Sequence, residues 1–329
     1  MNIKTKRIAA SAAFVITLAA AIPSSVLAAS AGYFRTYATI ASVKDRDGCC
    51  SMQGMAVDSG WIYTIKINSG NSRAFLCRTN RSTGITSPLT DAGTGSIYLS
   101  RLGHANDMDV TTIDGKPNLF IATMNTGSLS LVRLEVRGSE VAMTGCYTIS
   151  YHGENRHISG IAITKSTKSS IDFLFKRGCT FYTGSIDPKA AGGTIPIKKA
   201  FRLDLTHTMV GGKERDLSEY IHQGFGYCGG RLFLPLTGPA GKRNSSVILV
   251  YVPNARGEMT LHRELSFQIK SREYPALFEI ESCGISPDGR LYFNTNRRKS
   301  DSSINHDGIH YFKGYTFEEP PGKSKSLSG

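Results

Sequence analysis

The sequence lacks the motifs on which several common functions depend. It has no Cys-x-x-Cys pair, which argues against zinc-ribbon and thioredoxin-type sites, and no Gly-x-Ser-x-Gly or His-Glu-x-x-His motif. Its runs of Lys and Arg are too short for a nucleic-acid-binding arm, and no segment after the first thirty residues could span a bilayer. Two partial metal motifs, at 45–48 and 152–157, lack further ligands or the required spacing. No metal site, cofactor or nucleic-acid partner is therefore indicated.

The N-terminus has the three-part pattern of a secretory signal peptide. Three basic residues among the first seven precede an apolar stretch at 8–22, and small residues follow it. The sequence predicts a signal peptide over residues 1–28, cleaved after Ala28, with Ala31 as the second choice. A membrane anchor is the alternative, but the stretch is short against the roughly 20 residues that a helix needs to cross a bilayer.

Charge and cysteine content fit an exported protein. The formal net charge is +13, and three of these basic residues belong to the predicted signal peptide. A basic exported protein tends to collect on anionic surfaces, although simple solubility explains the charge equally well. The seven cysteines are an odd number, so at least one thiol has no partner within the chain, and we expect one or two disulfides at most.

A repeat of five units runs through the chain. Each unit joins two apolar alternating segments across a tight turn, as in Gln53–Val57 and Trp61–Ile65 around Asp58–Gly60. Asp-Gly and Gly-Gly turns favour hairpins because these residues tolerate positive φ. Steps of 53, 53, 64 and 58 residues leave room for four short strands per unit. The units begin at Gln53, Asn106, Ser159, Gln223 and Glu281.

Repeats of this size are typical of β-propellers. The sequence therefore predicts an all-β, five-bladed β-propeller with four-stranded antiparallel blades over residues 29–317. Segment 33–43 is expected to close the last blade beside 308–312, and helical turns are expected only within 213–222 and 275–281. A β-sandwich or two stacked barrels would also have many short strands, but would not predict five similar hairpins at near-constant spacing.

The repeat also predicts where a ligand binds. The innermost strands of a propeller start around one channel, so equivalent positions form a ring, and here that ring is polar and preceded by three histidines. This cup suits a hydroxyl-rich ligand, a cation or ordered water, and a purely structural ring is the alternative. The histidines are expected to become protonated below about pH 6.5. The predicted ligand-binding residues are Gln53, His104, Asn106, Asp107, His157, His222, Gln223 and Glu281.

Carboxylates near the ring raise a second possibility. Glycoside hydrolysis needs two facing carboxylates roughly 5 to 9.5 Å apart, and Asp107 or Asp109 with Glu279 or Glu281 could supply them. Their spacing does not select hydrolysis over binding, so no catalytic residue is assigned. Trp61, the only tryptophan, is expected in the core rather than as a sugar platform.

The first two units resemble the helveticin J family of large bacteriocin-like proteins of Gram-positive bacteria. The resemblance covers about 100 residues, with weaker echoes in units four and five, and its elements are Gln53–Val57, Ile62–Lys66 and, most specifically, Gly103–Met108. This chain differs in its cysteine content and in unit three. Membership would imply a repeated β fold and antibacterial or cell-surface-binding activity, but it transfers no functional residue.

Together these features predict a secreted, non-enzymatic, bacteriocin-like propeller that binds a bacterial surface glycan or anionic envelope component. The alternative is a glycan-processing hydrolase with carboxylates at the channel mouth. Residues 318–329, rich in Pro, Lys, Ser and Gly, are predicted to be a disordered tail.

Overall fold

The computed structural model describes residues 37–125, 127–263 and 265–313. The predicted signal peptide (1–28) and tail (318–329) lie outside the described residues, as do both ends of the predicted propeller segment 29–317. Within these described residues, the regular secondary structure consists of β-strands, and no α-helix is assigned. None of its segments forms a helix suited to crossing a membrane.

The strands are short and follow one another closely along the chain. The first half comprises β1 (Tyr37–Ser42), β2 (Cys49–Val57), β3 (Trp61–Asn68), β4 (Ala74–Asn80), β5 (Thr86–Pro88), β6 (Thr90–Asp91), β7 (Tyr98–Leu99), β8 (Asp107–Ile113), β9 (Lys116–Ala122), β10 (Leu131–Arg137), β11 (Glu140–Tyr151), β12 (Glu154–Asn155), β13 (Gly160–Ser166) and β14 (Ile171–Arg177). The second half comprises β15 (Thr180–Ile186), β16 (Gly192–Pro196), β17 (Lys198–Arg202), β18 (Thr208–Val210), β19 (Lys213–Arg215), β20 (Ile221–His222), β21 (Gly226–Cys228), β22 (Arg231–Thr237), β23 (Ser245–Pro253), β24 (Met259–Leu261), β25 (Phe267–Lys270), β26 (Leu277–Ile285), β27 (Leu291–Arg298) and β28 (Gly308–Phe312).

These strands form five sheets of at least four strands and one two-stranded hairpin, β18–β19. Sheet 1 runs β2-β3-β4-β5, and β7 also pairs with β4. Sheet 2 runs β8-β9-β10-β11-β12, sheet 3 runs β13-β14-β15-β17, and sheet 4 is built on β22 and β23. Sheet 5 runs β26-β27-β28-β1, so the N-terminal strand completes the C-terminal sheet. The predicted closure by segment 33–43 is confirmed for the described residues 37–42.

The sheets are arranged around an axis in chain order. The innermost strands of successive sheets are β2, β8, β13, β21 and β26. Each contacts the next, and β26 contacts β2 again. The core consists of five clusters of buried apolar side chains, and each cluster combines residues of two neighbouring sheets. Between sheets 2 and 3, for example, the rings of Phe120 and Phe173 pack edge to face with centroids 5.2 Å apart. The chain is therefore an all-β protein with the architecture of a β-propeller.

Two details of the prediction need correction. Segments 213–222 and 275–281 contain no helical turn; they contain β19, β20 and the start of β26. The sheets are also not uniformly four-stranded and antiparallel, because β6 and β16 both pair with β11 in parallel. Gly192 permits the approach of β16, since a Cβ there would lie 2.7 Å from the Cys146 carbonyl oxygen.

None of the seven cysteines, all of which lie within the described residues, forms a disulfide, whereas one or two at most were expected. Cys49, Cys77 and Cys283 are buried in the apolar clusters, where a thiol packs as a small hydrophobic side chain. Trp61 lies partly buried against the core as predicted, and the Arg78 guanidinium sits 4.3 Å from its ring centroid.

A buried ion pair fastens sheet 1 to the closing sheet 5. The Lys66 ammonium on β3 lies 2.8 Å from an oxygen of Asp307, which precedes β28, and both side chains are almost fully buried. The same ammonium donates to the Val43 carbonyl oxygen at 3.1 Å and to the Asp45 carboxylate. Losing one member of such a pair leaves an uncompensated buried charge.

We therefore expect Lys66→Met to lower the free energy of unfolding by about 3–5 kcal/mol. The matched control is Lys116→Met, whose ion pair with Glu135 is at the surface and contributes about 0–1 kcal/mol. Urea denaturation of the two variants measures the difference. Equal, small losses in both would contradict this account of ring closure.

Candidate ligand-binding site at the channel mouth

One large side chain and four small residues meet at the axis. The second residue of the five repeat units is Gly54, Asp107, Gly160, Gly224 or Ser282. A Cβ on Gly54 would lie 2.8 Å from the main-chain carbon of Asp107, and one on Gly224 would lie 2.5 Å from its carboxylate. The glycines thus leave the space that Asp107 occupies.

The Asp107 carboxylate joins four sheets. One oxygen accepts hydrogen bonds from Ile161 N–H of sheet 3 at 3.0 Å and from Phe225 N–H beside sheet 4 at 3.1 Å. The other accepts from the Ser282 hydroxyl of sheet 5 at 2.7 Å. Asp107, which the sequence predicted to contact ligand, is instead fully buried, and its hydrogen bonds are internal.

Burial also determines the charge at the axis. It raises the pKa of the Asp107 carboxyl to about 7, although the three donors and the nearby Lys176 charge favour ionisation. Burial lowers the pKa of the fully buried Lys176 ammonium to about 8, against the attraction of Asp107. The Asp107 carboxylate therefore becomes neutral as the pH falls below about 7, and the Lys176 ammonium becomes neutral as the pH rises above about 8.

The polar ring lies at the start of the inner strands, next to Asp107. Gln53, Asn106, Gln223 and Glu281 are each between 2% and 6% exposed, as expected for side chains packed around a channel. Asn106 donates to the Ser159 carbonyl oxygen at 2.6 Å, and Gly224 N–H donates to the Glu281 carbonyl oxygen at 2.8 Å. The structure thus brings the four predicted ring side chains together at one mouth.

Sheet 5 contributes two hydrogen-bonded carboxyl groups to this mouth. Burial raises the pKa of Glu281 well above its ordinary value, and the charge of Glu279 and the hydrogen bond between the two groups raise it further. Glu279 accepts from Gln223 at 2.6 Å and lies 3.6 Å from the Arg243 guanidinium. Burial and the Glu279 carboxylate therefore favour the protonated form of Glu281, while Glu279 contacts the Gln223 amide and lies near Arg243.

One acceptor of the ring is unused. Gln53 Oε1 is buried and has no hydrogen-bond partner within the described part of the chain. Gln53 itself is held in place, because its carbonyl oxygen accepts from Asn294 and the adjacent Met52 N–H donates to Asn296 at 2.7 Å. A buried acceptor without a partner costs free energy, so a ligand hydroxyl that donates to it would remove that cost.

The three predicted histidines lie at the rim, and their pKa values are lower than expected. Each is half-buried, and burial lowers the pKa of His104 and His157 and lowers that of His222 to about 4. They become protonated at a lower pH than the predicted 6.5. His104 Nδ1 lies 3.2 Å from Asn71 Oδ1, and His222 Nε2 lies 3.8 Å from the Cys179 thiol.

A cavity of about 40 Å³ lies among the inner strands beyond Asp107 and is lined by residues of all five. Asp109 borders it and accepts from Ile163 N–H at 2.7 Å, and burial raises the pKa of Asp109 to about 6. Asp107 and Asp109 thus both accept hydrogen bonds from main-chain amides.

Sequence reasoning missed several supporting residues. Asn294 and Asn296, separated by Thr295 on β27, fix the neighbouring strand, and Lys176 is the only basic residue in the buried part of β14. Polar residues that directly follow an apolar run within a strand were the available signal. Arg243 lies in a loop without such a pattern.

Comparisons with known proteins assign no family. No protein-family model and no curated protein matches the chain. Among solved structures it is similar to the catalytic domain of a Coprinopsis cinerea GH62 α-L-arabinofuranosidase, with 7% identity and a TM-score of 0.46 over 84% of this chain and 96% of that one. A Xanthomonas citri GH43 enzyme complexed with xylotriose gives 9% identity and a TM-score of 0.46, with 87% and 93% coverage. A Bombyx mori GH32 β-fructofuranosidase gives 7% identity and a TM-score of 0.46, over 87% of this chain and 64% of that one. Similarity at this level assigns neither a fold nor an activity.

Replacing Asp107 tests its role at the axis. Asp107→Ala leaves two buried N–H groups and a hydroxyl without their acceptor, at about 1–3 kcal/mol each, so we expect a loss of at least about 3 kcal/mol in unfolding free energy. Asp107→Asn keeps the shape, an acceptor for the amides and a donor for Ser282, and is expected to fold. An alanine variant as stable as wild type in urea would contradict the role assigned to this carboxylate.

The pH dependence of stability follows from the raised pKa. The native carboxyl binds its proton near pH 7 and the unfolded one near about 3.9. Its contribution to stability is therefore fully present below about pH 4 and is lost as the pH rises through about 7, by up to about 4 kcal/mol. Urea denaturation should show that wild type loses stability relative to Asp107→Asn as the pH rises from 4 to 8. Asp109 titrates in both proteins, so its contribution cancels in this comparison. A constant difference between the two proteins would refute this pKa assignment.

Proposed function

We propose that the protein binds a hydroxyl-rich glycan at the channel mouth. The observation that carries the proposal is Gln53 Oε1, a buried acceptor without a partner in the described structure, set within a ring of amide and carboxyl side chains. Sugar hydroxyls both donate and accept, and amides offer both functions at fixed positions. Asp107 occupies the axis next to the ring, which favours binding of the end or a protruding unit of a glycan over a chain threaded through the axis.

The main-chain and side-chain contacts of the acidic residues support binding rather than hydrolysis. A hydrolase needs two carboxyl groups on either side of the scissile bond, roughly 5 to 9.5 Å apart. Glu279 and Glu281 are hydrogen bonded to each other on one strand, and Asp107 and Asp109 accept from main-chain amides. The hydrogen-bonding capacity of these carboxyl groups is therefore directed to neighbouring protein groups.

Substitution of Gln53 tests the site. Gln53→Leu removes the free acceptor without adding a polar group, so binding should weaken by about 0.5–1.5 kcal/mol while the protein stays folded. A glycan array with the wild-type protein identifies the ligand, and titration calorimetry then compares the variants. Thr64→Val is the matched control. It removes the Thr64 hydroxyl oxygen on β3, which is also buried without a hydrogen-bond partner in the described structure. Failure of wild type to bind any glycan, or equal losses in both variants, would contradict the proposal.

Hydrolysis is the second candidate, and one observation favours it. The raised pKa of Glu281, caused by burial and by the neighbouring Glu279, favours its protonated form, and glycosidases use a protonated carboxyl group as a general acid beside a second carboxylate. Binding alone predicts that wild type releases no reducing ends from any glycan it binds. Release that disappears in both Glu281→Gln and Glu279→Gln would favour the hydrolase instead.

We further propose that the protein is exported and acts on the bacterial envelope, as a relative of the helveticin J family would. The basic charge and the N-terminal pattern support this. N-terminal sequencing of protein from the culture medium should give a chain that starts at residue 29 or 32. Retention of the full-length chain inside the cell would contradict export.

We also propose that the propeller has five blades, one for each sheet of four or more strands. The five core clusters and the closed order of the inner strands support that count. An experimental density map in which two of these sheets form one blade would contradict it.

A further inference from the structure

The mouth is electrically asymmetric, and its sheet 3 side is basic. Ser159 N–H donates to the Lys176 carbonyl oxygen at 2.9 Å, and Gly160 is paired with Lys176 in the ladder between β13 and β14. Arg177, one residue beyond Lys176, therefore lies beside the segment that leads into β13. That segment contains Arg156 and His157, so two guanidinium groups and an imidazole flank this part of the rim.

These basic groups affect one another electrostatically. Burial lowers the pKa of His157, and the charges of Arg177 and then Arg156 lower it further, with no carboxylate opposing them. Arg156 has one acidic neighbour, the largely exposed Glu154 at 3.2 Å. We call Arg156, His157 and Arg177 the arginine sector.

The arginine sector has unused donors. Arg156 Nε is buried without a hydrogen-bond partner, and the Arg177 side chain makes no hydrogen bond or ion pair within the described ranges. The fully buried Lys176 ammonium lies 3.4 Å from the Ser159 hydroxyl, at the start of the same sheet. The acidic residues of the mouth, Glu279 and Glu281, stand on sheet 5 instead.

We propose that the arginine sector binds an oxyanion, a phosphate or a carboxylate, carried by the glycan that occupies the mouth. Guanidinium forks bind such groups through paired hydrogen bonds, and these charge-assisted bonds are about twice as strong as neutral ones. The sugar hydroxyls then reach the amides of the ring. The identity of the ligand as a glycan rests on the proposed function, whereas the oxyanion site does not.

Inorganic phosphate is the probe for the site itself. Titration of wild-type protein, followed by the imidazole NMR signals of His157 assigned with His157→Gln, should give a saturable shift. Arg156→Ala/Arg177→Ala should bind roughly tenfold more weakly or not at all. Lys198→Ala/Lys199→Ala removes the same charge from the exposed strand β17 of the same sheet and should behave as wild type.

Two results would overturn the oxyanion site. One is the absence of a saturable shift in wild type, and the other is an equal weakening in both double variants, which would indicate only the net charge. If Arg156→Ala/Arg177→Ala does not fold, the single variant Arg177→Ala replaces it, and an unchanged affinity for phosphate in that variant counts equally against the proposal.

Isolated Gram-positive cell walls test whether the oxyanion belongs to the glycan. Untreated walls are compared with walls from which hydrofluoric acid has removed phosphodiester-linked polymers. Wild type that prefers untreated walls, with the preference lost in Arg156→Ala/Arg177→Ala, identifies a phosphate. Equal binding to both walls that weakens in this variant identifies a carboxylate. If wild type and the double variant both bind the two kinds of wall equally well, the link between the oxyanion and the glycan is overturned. If wild type binds neither kind of wall, the envelope glycan is wrong, and the phosphate titration still tests the oxyanion site.

Discussion

A single buried carboxylate holds the centre of this propeller. Asp107 accepts from Ile161, Phe225 and Ser282, so one side chain of sheet 2 fixes the starts of sheets 3, 4 and 5. Gly54 of sheet 1 contacts its main chain so closely that a methyl group would not fit. Hydrogen bonds to a charged group are stronger than neutral ones, but burial works against the charge. The balance between these two effects places its pKa near neutrality.

The rest of the inner ring follows from that centre. Gly54 N–H reaches the Ala105 carbonyl oxygen, and Ala105 adopts a φ of 49° in the left-handed region, which is uncommon for a residue with a side chain. Asn106 then reaches Ser159, and Gly224 reaches Glu281. These contacts join neighbouring sheets around the axis at the starts of the inner strands, where the polar side chains of the ring also lie.

The candidate site was partly predictable for the same reason. Equivalent positions of a repeat must meet at the axis, so Gln53, Asn106, Gln223 and Glu281 could be placed together from their spacing alone. The role of Asp107 could not be predicted in this way. Whether a carboxylate at the axis faces a ligand or the neighbouring strands depends on glycines that come from other units. The histidine pKa values were also misjudged, since burial and the nearby Arg156, Arg177 and Lys176 charges lower them.

Five alternating hairpins at near-constant steps determine the all-β class and the order of the sheets, because each hairpin has one apolar face that only a neighbouring sheet can bury. Local pattern also placed the closing strand β1. Tertiary structure alone decided the parallel pairing of β6 and β16 with β11, the burial of Lys66 against Asp307, and the separation of acidic and basic groups across the mouth. These features join residues far apart in the chain, and their energies depend on burial and distance, which no local pattern of residues specifies.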